Sequence, residues 1–467
     1  MKIAVKAADV LGLPVEEQNN FDKLVKRYNN SVNKNDEKSR YYEGKIPLAE
    51  VNLGLALPKT ILGLEIECAW GGKTVDTLAG RSRFDGYVDA NGNKDERLLQ
   101  IVRDNKLIAG YKIACRDELT FGCSFATVIP NDKRKAVIDF HSPETASAIW
   151  DSEKKEIYRG LTIVKTEENA TGSTVKATLL HFFTDTATWV LENVDDKWTA
   201  SEVPHKMGRC LMEPMTWNAT SKRPFGQSRI KSKIRRLMQG YVRTVANATI
   251  GLEFATAPQK YLLGVTDDQY DVLINQSFKQ YVGNMMVGTR DPETGENPTF
   301  GQLPQGNIEP HVQMLRILSA QFSAASSLPV TDVGVINDAN PTSSDAILAQ
   351  TVTLVSLAED LNTGNGDALK VIAEMALAIE ENKTLDQIRD EGIDTIAHFK
   401  NPAMPSVAVT ADAAIKIASA RPGFAETDIF LEMVGFDQAD IRRIKSQEQR
   451  ARGLALLTEV ETDEDNS

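Results

Sequence analysis

Asn297-Pro298-Thr299-Phe300-Gly301-Gln302-Leu303-Pro304-Gln305-Gly306 lies between two stretches of helical periodicity, and that bracketing decides how the chain is read. Before it, over 228–253, Ile230, Ile234, Leu237, Tyr241 and Val245 recur at steps of three and four, the apolar stripe of one helix. Pro258 ends it, and 257–310 reads as a small mixed module with a turn at Arg290-Asp291-Pro292-Glu293-Thr294-Gly295. A second helix is expected from about His311 to Ser326. Pro310 stands at its start, where a missing N–H costs little, and Pro329 lies beyond its end. Thr331–Asn340 (TDVGVINDAN) has no periodicity, and Pro341-Thr342-Ser343-Ser344-Asp345-Ala346-Ile347 then opens a third helix. Thr342 is its expected cap, with Asp345 placed to favour the helix dipole. Two helices flanking a small module, then a loop and a long helix, suit a part of a ring better than a pocket that does chemistry.

The third helix carries Ile347, Leu348, Val352, Leu354, Val355, Leu357 and Leu361 towards Gly364-Asn365-Gly366, where a break is expected before it resumes at Asp367. The remainder reads as short helices and a disordered acidic stub, Thr458–Ser467. On the other side, residues 1–56 read as helical, and the texture changes from Pro58 to about Trp217. Strand-like runs at Ser124–Pro130, Ala136–Phe140, Gly160–Lys165, Val175–Phe183 and Ala187–Glu192 dominate there. Turn signals separate them at Asn91-Gly92, Asn131-Asp132, Thr171-Gly172-Ser173 and Asp195-Asp196. One helix, Asp95–Ala114, interrupts them, with apolar residues at Leu98, Leu99, Val102, Ile108 and Ile113. This half reads as an α+β domain with an antiparallel sheet.

A chain of 467 residues should fold as two to four units, each with its own core. The formal net charge of −12 argues against a general nucleic-acid coat, which rests on neutralising phosphates with Lys and Arg. It is compatible with a surface past which DNA slides without sticking. Cys68, Cys115, Cys123 and Cys210 are too scattered for a disulfide framework, and with no CxxC they read as reduced thiols. No run approaches the length of a membrane span, so no membrane is expected.

Little in the chain suggests catalysis, and neither cofactor nor metal is expected. Gly71-Gly72-Lys73-Thr74 resembles part of a phosphate loop, but the spacing needs a glycine where Glu67 stands, so a β-turn is the expected structure. His141, His181, His205, His311 and His398 lie far apart, and His205 with Cys210 lacks further ligands. Asp267, Asp268 and Asp271 suit an exposed helix start. The basic run is the sharper signal. Lys222, Arg223, Arg229, Lys231, Lys233, Arg235, Arg236 and Arg243 occur with no acidic residue among them. It supports two readings, an electrostatic surface for nucleic acid or an acidic partner, and a solvated polar face opposite the apolar stripe.

Several strings, taken in order, resemble the bacteriophage portal proteins, in the group related to the portal of siphophage SPP1. They are Ser39-Arg40-Tyr41-Tyr42-Glu43-Gly44, Arg223-Pro224-Phe225-Gly226-Gln227-Ser228-Arg229-Ile230, Gly301-Gln302-Leu303-Pro304, Ser326-Ser327-Leu328-Pro329 and Pro341-Thr342-Ser343-Ser344-Asp345-Ala346-Ile347. The resemblance covers nearly the whole chain and is densest over 209–361. It implies a portal fold with an α+β wing, helical stem, small α/β clip, long kinked wing helix and helical C-terminal crown. On this chain the wing would be 1–225, the first stem helix 226–256, the clip 257–310 and the second stem helix 311–330. A tunnel loop would occupy 331–341, the long wing helix and following helices 342–395, and the crown with its acidic tail 396–467.

The resemblance also implies function. The expected protein is not an enzyme but a closed, dodecameric ring at one capsid vertex. Double-stranded DNA is packaged and later ejected through it, driven in by the terminase large subunit, and a head–tail adaptor docks on it. Major capsid protein and scaffold are the other expected partners, with assembly in the host bacterial cytoplasm and residence in the virion. The tunnel loop would be Thr331, Asp332, Val333, Gly334, Val335, Ile336, Asn337, Asp338, Ala339 and Asn340. The basic stem face would be Arg229, Lys231, Lys233, Arg235 and Arg236, and the clip contacts Arg290, Asp291, Glu293 and Glu296. The alternatives are another capsid or tail assembly protein without a channel, and a nucleotide- or metal-dependent enzyme.

Overall fold

Pro14 fixes the turn before the first long helix, α1 (Val15–Glu43), whose opening residues Glu16 and Glu17 suit its positive end. Gly44 ends it at φ 81°, the left-handed conformation that glycine adopts without strain. The structure is a computed structural model and describes residues 2–48, 66–89, 95–168, 175–256, 260–263, 295, 299–302, 307–333, 344–391, 395–403, 407–421, 423–436 and 440–451. It divides into two units, Met1–Pro402 and Ala403–Ser467.

The expectation of helix from residue 1 is corrected. Ala7–Asp9 is a 3-10 turn, and β1 (Val10–Leu11) pairs in parallel with Trp198 and Thr199 of a later strand. After α1 come α2 (Trp70–Ala79), β2 (Phe84–Val88), α3 (Glu96–Asp104) and α4 (Leu107–Phe121). The last two stand where one helix was expected. Lys106, at φ 49°, breaks the run and resets its phase, so that α4 buries Leu107, Tyr111 and Ala114. Ile108 and Ile113 are left 47% and 59% exposed, against the single-helix stripe.

Strands follow: β3 (Cys123–Pro130), β4 (Ala136–His141), β5 (Ala146–Asp151), β6 (Glu156–Glu168), β7 (Val175–Phe183), β8 (Ala187–Val194), β9 (Lys197–Pro204) and β10 (Met212–Thr216). β5 to β9 form an antiparallel meander with β1 on its far edge, and β10-β3-β4 form a second sheet. The β8–β9 turn is Asp195-Asp196, both at positive φ (50° and 62°), as a two-residue hairpin turn with matching twist requires. The turn signals at Asn91-Gly92 and Thr171-Gly172-Ser173 lie outside the described residues. One core forms where α1 lays Phe21, Leu24, Val25 and Tyr28 on Leu161, Leu180, Phe182 and Leu191 of the meander. Phe21 meets Phe182 edge-on at 5.7 Å, a favoured aromatic geometry.

The second half of this unit holds α5 (Ser232–Thr256), a two-stranded ladder of β11 (Lys260–Leu263) and β12 (Thr299–Gln302), and α6 (Glu309–Ser326). A 3-10 turn, Val330–Val333, follows, then α7 (Ser344–Glu381) and α8 (Leu385–Asp390). α7 runs without a break through Gly364-Asn365-Gly366, against the expectation of an interruption there. Asn365 is buried, and its amide donates to the Tyr111 hydroxyl at 3.0 Å and to Glu118 Oε2 at 2.8 Å. Two glycines weaken a helix locally, but this anchorage and the apolar contacts beyond it hold the continuous form. From Ile372 to Ile379 every residue of α7 is buried, as befits a helix enclosed on all sides. Its one carboxylate there, Glu374, accepts from Arg389 Nε at 2.8 Å.

The remainder is not wholly helical. β13 (Ile396–Phe399) returns to pair antiparallel with β2, some three hundred residues away in sequence. The C-terminal unit holds α9 (Val407–Ala420) and α10 (Asp428–Val434), the latter capped by Thr427, and 440–451 is helical. Thr458–Ser467 lies outside the described residues, as does the expected cap Thr342. Among the described residues no helix is long and apolar enough to cross a membrane.

Candidate functional site

The paired helices α5 and α6 are built around a narrow contact. α5 buries Ile234, Met238, Val242 and Ala246, one residue every four, each no more than 2% exposed. The row shares Ile234 with the expected stripe and runs one position beyond it from there, with Leu237 and Tyr241 half-buried beside it. Burial follows the i, i+4 row that fits its neighbours rather than the full apolar set. Gly240 lets α6 come close, since a Cβ there would stand 3.2 Å from Leu318 Cδ2. Trp70 of α2 joins the two helices. It stacks on Phe322 of α6 at 4.5 Å, with 17° between the rings, and meets Tyr241 of α5 at 4.8 Å.

The basic residues separate into two groups. Lys231, Lys233 and Arg236 are exposed at the start of α5, where no acidic residue occupies the first turn. Cations at the positive end of a helix are disfavoured by about 0.3–1 kcal/mol each. Their placement there works against the helix, which weakens the reading as a merely solvated face. Arg235 is offset within the chain, pairing with Glu37 Oε2 at 2.6 Å while its guanidinium lies over Tyr41. Gln239 Nε2 donates to the Tyr41 hydroxyl at 2.6 Å and fastens the same edge to α1.

Arg229 does not belong to that face, and the expectation is corrected. It is 8% exposed and precedes the helix. Its Nε donates to the Thr74 carbonyl at 2.7 Å and its Nη2 to the Ser326 carbonyl at 2.6 Å. Burial pulls its pKa down to about 10, so it keeps its charge at neutral pH without a carboxylate partner among its described hydrogen bonds.

Of the expected loop, Thr331, Asp332 and Val333 form the 3-10 turn, with Asp332 N donating to the Pro329 carbonyl at 3.0 Å. Gly334, Val335, Ile336, Asn337, Asp338, Ala339 and Asn340 lie outside the described residues. So do Arg290, Asp291, Glu293 and Glu296, and also Asp267, Asp268 and Asp271.

Gly71-Gly72-Lys73-Thr74 is not a β-turn but the first turns of α2. The glycine at 71 serves packing, because its backbone lies against the Tyr41 carbonyl, and Thr74 Oγ1 donates back to the Trp70 carbonyl at 2.8 Å. The four cysteines are free and buried, and burial pushes the Cys68 and Cys123 thiols up to about 12, which makes them poor nucleophiles. His205 is drawn down to about 4 by burial. Among the described residues no three His, Cys, Asp or Glu side chains are grouped to hold a metal ion.

Sequence reasoning missed a buried polar chain. Ser82 Oγ bonds the Tyr111 hydroxyl at 2.5 Å and donates to Asn362 Oδ1 at 2.6 Å, and Tyr111 and Glu118 both accept from Asn365. Its only signal was an asparagine set between glycines inside an apolar helix.

A family model described as phage portal protein, SPP1 Gp6-like, matches residues 22–453. No curated protein matches the chain. Among solved structures it is similar to a chain in the virion of a native gene transfer agent particle, with TM-score 0.47 and 12% identity over 86% of this chain and 93% of that one. A chain in the neck of the empty particle, computed with C6 symmetry, gives 0.47 and 12% over 79% and 90%. One in the neck of the native particle, computed with C12 symmetry, gives 0.44 and 11% over 79% and 90%.

Proposed function

The chain belongs to the SPP1 Gp6-like family of phage portal proteins, and from that premise we propose that it closes into a ring, of twelve copies, at one vertex of a phage capsid. Double-stranded DNA is driven in through the ring by the terminase large subunit and leaves by the same path. The head–tail adaptor docks on the clip, while capsid protein and scaffold surround the ring during assembly in the host cytoplasm. Residues 1–225 form the wing, α5 and α6 the stem, 257–310 the clip, 331–341 the tunnel loop and α7 the inner wing helix. The crown is the C-terminal unit from Ala403, because Ile396–Phe399 is tied back to β2. The chain has no catalytic part in this scheme, and its net charge of −12 suits a channel that repels DNA and keeps it mobile.

The observation that carries the reading is the α5–α6 pair. It is clamped by Trp70 and leads to the segment expected to meet DNA, and Lys231, Lys233 and Arg236 stand exposed at the start of α5. Two variants test it. Removing several residues within 334–340 should leave rings intact and reduce DNA packaging. Changing Lys231, Lys233 and Arg236 together to Glu should disturb ring assembly, capsid incorporation or DNA retention while the β5–β9 meander stays folded. Normal packaging in the first variant removes the tunnel-loop assignment, and normal behaviour in all three respects makes the basic residues a solvated face.

A further inference from the structure

Helix α6 ends in an unusual way. A helix leaves its last four carbonyls without intrahelical partners, and a left-handed residue just beyond the end commonly satisfies them through its own N–H. Here Ser327 is left-handed, at φ 58°, yet no backbone bond from it caps the helix, and Pro329 further on has no N–H to give. Side chains supply the ending instead. Ser323 Oγ donates to the Leu328 carbonyl at 2.6 Å, which folds the exit back over the last turn. Arg229 Nη2 donates to the carbonyl of Ser326, the final helical residue.

The same guanidinium reaches the Thr74 carbonyl inside α2, and the Arg229 backbone N–H donates to the Leu119 carbonyl of α4 at 2.8 Å. One residue thus joins α2, α4 and the end of α6 immediately before α5 begins. A cation at a helix C-terminus is favoured by the dipole, and a hydrogen bond to a charged donor is stronger than a neutral one. The planar fork of arginine holds two carbonyls at fixed separation, which the single ammonium of lysine cannot copy.

We propose that Arg229 is a positioning residue that pins the exit of α6 to the packed body of α2 and α4, and so fixes the course of the segment 327–333. Its consequence for packaging rests on the reading of 331–341 as the tunnel loop. The pin itself can be tested without that reading.

The test is amide hydrogen exchange on full-length assembled protein, comparing the native chain with Arg229→Lys and Arg229→Gln. Exchange should rise by about tenfold or more in peptides covering 327–333, the effect of losing a charge-assisted bond. Peptides from β6 to β8 should be unchanged, and lysine should rescue only part of the protection. Unchanged exchange at 327–333 in both variants overturns the proposal. So does a uniform rise across the sheet, which would make Arg229 a general core residue. If glutamine prevents folding, the lysine variant alone decides. Faster exchange at 327–333 with normal packaging upholds the pin and removes the tunnel-loop reading.

Discussion

Replacing Gly71 by alanine is expected to destabilise the protein by about 3 kcal/mol or more, because overpacking against rigid backbone leaves no cheap adjustment. The added Cβ would stand 1.9 Å from the Tyr41 carbonyl oxygen, 2.8 Å from its carbon and 3.2 Å from Met238 Cε. Two of these are main-chain atoms at the end of α1, so α2 itself would have to move. Trp70, the neighbouring residue, would move with it and loosen its stacking on Phe322 and Tyr241. The substitution therefore reaches the α5–α6 pair as well as α1 and α2. Gly364→Ala is the counterpart. Gly364 is exposed within α7, and a Cβ there meets nothing within 4 Å. Alanine should stabilise by about 0.5–1 kcal/mol through helix propensity alone. Denaturant midpoints of both variants check the pair. A Gly71→Ala chain as stable as the native one would mean that the α1–α2 contact is wrongly described.

Raising the pH from about 5 to about 8.5 is expected to weaken the fold through Glu118. Its carboxyl is fully buried, and burial pushes its pKa up to about 8. The folded chain holds a proton that the unfolded chain releases near the ordinary glutamate value. Stability from this group is thus present at low pH and falls as pH rises through that window. Its titratable neighbours Tyr111, Cys115 and Cys123 are all pushed up by burial and stay neutral there. Among the described residues Oε1 of Glu118 and Oδ1 of Asn365 are both buried without a partner, so a proton on Glu118 supplies a donor where the pair lacks one. Glu118→Gln carries such a donor permanently. It should match the native chain near pH 5 and exceed it above pH 8 by on the order of a few kcal/mol. Glu118→Ala should lose stability near pH 5, since Asn365 then has one partner fewer, and should lack Glu118's share of the decline with pH. Glu213, raised to about 7 by burial, adds a native slope of the same sign that Glu118→Gln leaves in place. Identical pH profiles for native chain and Glu118→Gln would contradict this account.

Much of the fold was legible because it is local. β7 spans Val175–Phe183, the bounds of the strand-like run between turn signals, and α6 starts beside Pro310 as expected. What was not legible depends on contacts distant in sequence. α2 carries two glycines that argue against a helix, and only the approach of the Tyr41 carbonyl explains Gly71. The pairing of β13 with β2 has no local signature. α7 crosses Gly364-Asn365-Gly366 because of Tyr111 and Glu118, residues some 250 positions earlier. The candidate site was harder still. A run of basic residues gives no sign that Arg229 turns inwards while Lys231 and Lys233 stay in water, since that is settled by where α5 begins.

The central claim is that this chain forms a ring. Negative-stain electron microscopy of the purified protein, with end-on views classified, tests it most directly. The account predicts closed rings with a central hole, whose symmetry gives the subunit number. Only monomers or dimers, even at high concentration and with scaffold supplied, would contradict it.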